Sequence, residues 1–230
     1  MAMDEPIEPG SNRRLHGILA VALLAQVVCW VYASPGPAIR GIEHSFPLAW
    51  QSALIAFGAL FVFPMLGCKA LSIEPAELGL QIGKWKLGLV FVAIGIPVAG
   101  ALLFGGCNDS EILAAYPWAG HWLATSTINM SIWFSIYGLY YLAFEFFYRG
   151  FLLRGLEPEI GLPAAMWIQV IMSVMIHFGK PSPELIASVP AAFLFGWVAL
   201  KTRSILYVVG IHWAIGIFND LFAMHYKGWL

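Results

Sequence analysis

Tyr141-Leu-Ala-Phe-Glu-Phe-Phe-Tyr-Arg-Gly-Phe-Leu-Leu-Arg-Gly155 is an apolar, aromatic run with one acid, Glu145, and one base, Arg149, in its middle. Its hydrophobicity suits part of a membrane helix. The two charges are four residues apart, so on an α-helix they share a face, acid before base, the more favourable order. An ionised side chain at the centre of a membrane helix costs about 2.5–3.5 kcal/mol on insertion scales. Two readings stay open: a structural ion pair that clamps helices, or a functional pair, since perturbed ionisable groups occur in both settings.

Working outward, the 230 residues are 60% hydrophobic and only 11% charged. A soluble domain carries about 25% charged residues. Mean hydropathy is +0.78. The expected fold class is therefore all-α, a polytopic transmembrane bundle of about seven to eight spans in a lipid bilayer. The net charge of −1 shows no nucleic-acid footprint. Cys29, Cys68 and Cys107 show no metal or disulfide spacing, and Cys29 and Cys68 read as small apolar fillers. The acids Asp4, Glu5 and Glu8 precede the first apolar run, which reads as a spanning helix rather than a cleavable signal.

The layout divides into a polar tail (1–14), two N-terminal spans (15–68), an interfacial connector (69–86) and a helical core (87–230). Spans are expected at about 15–33, 48–68, 87–104 with a kink at Pro97, 124–156, 162–178, 184–200 and 204–224. Pro, Gly and charged residues punctuate them. An eighth helix has room in the connector or in 105–123. With the N-terminus cytoplasmic, that side collects Arg13, Arg14, Lys69, Lys84, Lys86, Arg154, Lys201 and Arg203. The other side has Arg40, Lys180 and Lys227, a positive-inside pattern.

Few strongly polar groups lie within spans. Tyr137, Tyr141 and Tyr148 run along the stripe of Glu145 and Arg149. Gln169, Ser173 and His177 are each four apart. His212 shares a face with Asn219 and Asp220. Membrane helices turn such stripes toward each other or toward a wet cavity. One acid and two imidazoles from three spans make a set able to move protons. Taken singly, His177 also suits an interfacial helix end, and Asn219 and Asp220 suit interhelical hydrogen bonds. His16, His44, His121 and His225 fall in loops or at helix edges.

Glu145-Phe-Phe-Tyr-Arg149-Gly, a His ending the next helix, and His212 after Thr202-Arg-Ser-Ile205 together resemble the CPBP family. These are the CAAX-protease and bacteriocin-processing intramembrane endopeptidases, also called Abi proteins. The likeness covers about residues 70–222. The family's first motif has two adjacent glutamates before its arginine; here Phe144 takes the first place and Glu145 the second. Ser173 stands where the family usually has Phe, and Gly216 where it usually has Asn or Asp.

The resemblance implies peptide hydrolysis within the membrane by a Glu- and His-activated water. Glu145, His177 and His212 are the expected catalytic residues, supported by Arg149, Asn219 and Asp220. The substrate implied is a membrane-associated protein or precursor peptide with a hydrophobic segment. The expected site is metal-free, with zinc on Glu145, His177 and His212 as the alternative. The expected location is the cytoplasmic membrane of a prokaryote. A second functional class is a catalytically inactive adaptor or immunity protein that binds a hydrophobic peptide.

Overall fold

The computed structural model describes residues 13–33 and 44–230. The expected tail 1–14, apart from Arg13 and Arg14, and Arg40 in the first loop lie outside the described residues. Every regular element among the described residues is helical. The long ones are α1 (Arg13–Tyr32), α2 (Phe46–Leu71, with a π turn at Gly58–Val62) and α3 (Trp85–Gly106). A short α4 (Ser110–Ala115) and a 3-10 turn (Gly120–Thr125) follow. Then come α5 (Thr127–Glu145), a π-helical segment (Phe146–Arg154) and α6 (Gly155–Ile160). The chain finishes with α7 (Leu162–Met175), α8 (Ser182–Thr202) and α9 (Leu206–Tyr226).

The helix ends follow local chemistry. Pro47, Pro163 and Pro183 sit in first turns, where a missing N–H costs nothing. Asp109 and Ser126 cap α4 and α5 by accepting from backbone N–H groups. Helix α3 runs through Pro97.

Among the described residues five helices are long and apolar enough to cross a membrane: α1, α2, α3, α8 and α9. Many of their large apolar side chains face outward, Leu102 and Ile186 at 72% exposure among them. Surfaces of this kind are stable against lipid and not against water. The chain is an integral membrane protein. The expected fourth span is interrupted: after α5 the ladder widens to π and closes again as α6. The fifth, α7, has 14 residues, about 21 Å at 1.5 Å per residue, short of a bilayer core. The 105–123 loop holds α4 and part of the 3-10 turn, neither long enough to span.

The quoted run is the axis of the bundle. Residues 143–153 are all buried, through the end of α5 and most of the π segment. A helix apolar all round belongs inside a protein. Helix α3 is its opposite: Gly88 is its buried residue, and the rest is mostly lipid-facing surface. It packs on α9 through small residues, Gly88 against Tyr207, Gly95 against Ile211 and Gly100 against Phe218.

The connector between α2 and α3 is tied to the core by its backbone. Ile205 N donates to Gly79 O at 3.0 Å and Lys84 N to Thr202 O at 2.7 Å. Arg154 Nε donates to Glu77 O at 2.8 Å. Gly150, the glycine after Arg149, is required by this docking: a Cβ there would lie 2.9 Å from Leu78 O. The buried Thr202 and Ser204 close the α8–α9 turn, Thr202 Oγ1 donating to Val198 O.

Candidate active site

Glu145 is the last residue of α5 and is fully buried. Its Oε1 lies 2.5 Å from His212 Nδ1, a short contact in which the imidazole N–H donates to the carboxylate. Its Oε2 lies 3.2 Å from Arg149 Nε. That ion pair is off line for a hydrogen bond. Glu145 Oε2, Arg149 Nε and Arg149 Nη1 are buried and have no hydrogen-bond partner among the described residues. The guanidinium instead sits near the rings of Phe195, Phe144 and Tyr148, at 5.5, 5.6 and 5.8 Å. Three unbonded polar atoms in one apolar pocket leave capacity for a polar partner such as a water or an amide carbonyl.

The start of the π segment coincides with this pair. An i→i+5 turn lets a helix re-aim side chains, and such turns recur at functional sites. Here it separates Glu145, directed at α9, from Arg149, enclosed by aromatics. His212 is itself ringed by Tyr141, Phe144 and Phe195, at centroid distances of 4.4, 5.1 and 5.3 Å. Tyr141 also explains Gly216: a Cβ at 216 would run into its ring and hydroxyl.

His177 is placed differently. It lies in the turn after α7, 7% exposed, and its Nδ1 is 2.7 Å from Ser173 O. Its Nε2 faces Glu184 Oε1 at 4.0 Å. Contact with the Glu145–His212 pair runs through Phe144, whose ring packs edge-on against His177 at 5.9 Å and His212 at 5.1 Å. Position 144 thus joins the imidazoles by an apolar ring and not by a carboxylate.

Asn219 and Asp220, expected to assist His212, have other partners. Asp220 Oδ1 accepts from Trp118 N at 2.9 Å, and Oδ2 from Trp133 Nε1 at 2.8 Å. Asn219 Oδ1 accepts from Cys107 Sγ at 3.6 Å. Both fasten α9 to neighbouring segments. All three cysteines are buried and free, and burial raises the Cys107 thiol to about 11.

Three polar residues absent from the sequence argument matter here. Gln26 of α1 accepts from Tyr148 O–H at 2.7 Å and donates to Met172 O at 3.1 Å, anchoring α1 to the π segment and α7. Glu184 accepts from Lys180 Nζ and from Tyr116 O–H, each at 2.7 Å. These groups border a cavity of about 40 Å³ that His44 also lines. The Glu184 carboxylate raises the Lys180 ammonium above its usual range against the effect of burial. Burial and the same carboxylate hold the Tyr116 phenol well above its usual value.

Of the residues in the zinc alternative, Glu145 and His212 touch, and the His177 nitrogens face Ser173 and Glu184. Among the described residues no three His, Cys, Asp or Glu side chains are grouped to hold a metal.

Comparison with known proteins bears on the same segment. Residues 125–218 match the family model "Type II CAAX prenyl endopeptidase Rce1-like". The match takes in Glu145, Arg149, His177 and His212 and ends just before Asn219. That segment is therefore similar to an Rce1-like domain of the CPBP family. No curated protein and no solved structure matches the chain.

Proposed function

We propose, from the premise that residues 125–218 are similar to an Rce1-like domain, that this protein is an intramembrane endopeptidase. It hydrolyses a peptide bond in a membrane-associated protein or precursor peptide with a hydrophobic segment. The supporting observation is the 2.5 Å contact between the fully buried Glu145 and His212, inside the family-matched segment.

A carboxylate bonded to Nδ1–H fixes the imidazole tautomer and leaves Nε2 as a proton acceptor. In this scheme the Glu145–His212 pair takes a proton from water as its oxygen bonds to the substrate carbonyl carbon. The carbonyl π electrons move to oxygen, and donors near Glu145, Arg149 among them, meet the charge that develops there. Collapse of the tetrahedral adduct breaks the C–N bond, and the pair returns the proton to the leaving amine. Arg149 holds the Glu145 carboxylate in place through their ion pair, and His177 is the second proton carrier. The bilayer is the partner in which substrate is met, with the N-terminus on the cytoplasmic side of a prokaryotic membrane.

The test uses purified protein in proteoliposomes with a library of peptides bearing apolar tails. Glu145→Gln and His212→Ala are each expected to lower kcat at least about 100-fold, the lower range for removing a general base. Full-rate cleavage by Glu145→Gln excludes the scheme. Binding of apolar peptides without cleavage by the wild type supports the adaptor class instead.

A further inference from the structure

A second carboxylate–imidazole pair stands beside the first. Ser173 O accepts the Nδ1–H of His177 at 2.7 Å, which sets the ring's orientation. The other nitrogen, Nε2, then faces Glu184 Oε1 at 4.0 Å. Glu184 is held in that place: Lys180 Nζ donates to Oε1 and Tyr116 O–H to Oε2, both at 2.7 Å. The three groups come from α8, from the turn before it, and from the segment after α4. Their cavity of about 40 Å³ has space for water, which needs roughly 10–15 Å³ of such volume per molecule. The cluster lies one aromatic ring, Phe144, from His212.

We propose that Glu184 is the positioning residue of His177, supplying the counter-charge when Nε2 takes up a proton. This rests on the hydrolase reading of the Glu145–His212 pair. An opposite charge at about 4–6 Å favours the ionised form of a group. Around His177, burial first and then Lys180 and His212 disfavour the imidazolium and outweigh Glu184 and the Ser173 carbonyl, which favour it, so the ring is pushed down to about 3; Phe144 adds an apolar edge. Glu184 is thus the anionic side chain that opposes burial and Lys180 at His177.

The experiment follows the full chain in nanodiscs by ¹⁵N-histidine NMR, with the His177 signal assigned through His177→Gln. In Glu184→Gln the His177 midpoint is expected to fall by about one pH unit. kcat should fall at least about tenfold with KM nearly constant, and Glu184→Asp should recover part of both. An unchanged midpoint in folded Glu184→Gln overturns the proposal. Should that variant not fold, Glu184→Asp keeps the charge and draws it back from the ring. A lowered His177 midpoint then supports the pairing, and an unchanged or raised one overturns it. Glu145→Gln is expected to stop hydrolysis and leave the Glu184-dependent titration in place. A wild-type chain that shows the titration and cleaves nothing retains the pairing and defeats the hydrolase reading.

Discussion

At Asp220 two tryptophan N–H groups, Trp133 Nε1 and the Trp118 backbone, share one carboxylate. Each net hydrogen bond is worth about 1 kcal/mol. Asp220→Ala is therefore expected to destabilise the protein by about 2 kcal/mol, measured as a lowered midpoint of thermal unfolding in detergent. An unchanged midpoint would show that α9 is not fastened there. The residue scale also shows what a single chain reveals. Glu145, Arg149 and His212 were legible because a charged or imidazole group inside an apolar span has few bland explanations. Gln26 was not, since one amide in α1 carries no spacing signal until Tyr148 and Met172 are placed against it. Glu184 looked like an ordinary acid in the first turn of a helix, beside a proline-rich turn. Its link to His177 depends on how α7 and α8 meet.

Among the elements, span limits were the most legible feature. The expected 162–178, 184–200 and 204–224 correspond to α7, α8 and α9 with shifts of a few residues, because proline, glycine and basic residues mark the ends. The π segment was not legible. Residues 146–153 are apolar or aromatic apart from Arg149 and are buried on every side. No polar face exists whose phase would slip where the ladder changes from i→i+4 to i→i+5. The docking of the connector on this segment makes a specific prediction. Gly150→Val would drive methyl groups into the Leu78 carbonyl, and overpacking of this kind costs about 1–3 kcal/mol. Faster proteolysis within 72–84 in the variant is the expected readout; equal rates would mean that the connector does not depend on Gly150.

On the scale of the molecule, composition alone specified an apolar helical bundle, and the arrangement of polar groups followed only from packing. Glu145 bonds His212, whereas His177 bonds Ser173 and faces Glu184. Of the three supposed zinc ligands, Glu145 and His212 engage each other and His177 is engaged elsewhere. Hydrolysis by the proteoliposome-bound protein is accordingly expected to survive prolonged exposure to 1,10-phenanthroline at the wild-type rate. Loss of activity that added zinc restores would replace the water-only chemistry with a metal-assisted one.

The connector bears on where this protein can be cut. The backbones of Glu77, Gly79 and Lys84 hydrogen-bond to Arg154, Ile205 and Thr202, and Leu78 closes on Gly150. Arg154 belongs to the segment that follows Glu145, and Ile205 immediately precedes the helix that carries His212. A strip of chain from outside the family-matched 125–218 thus splints together the two walls that bring acid and imidazole into register. An excised fragment beginning at residue 125 would lack that splint, so the unit that holds the pair together is larger than the family-matched segment.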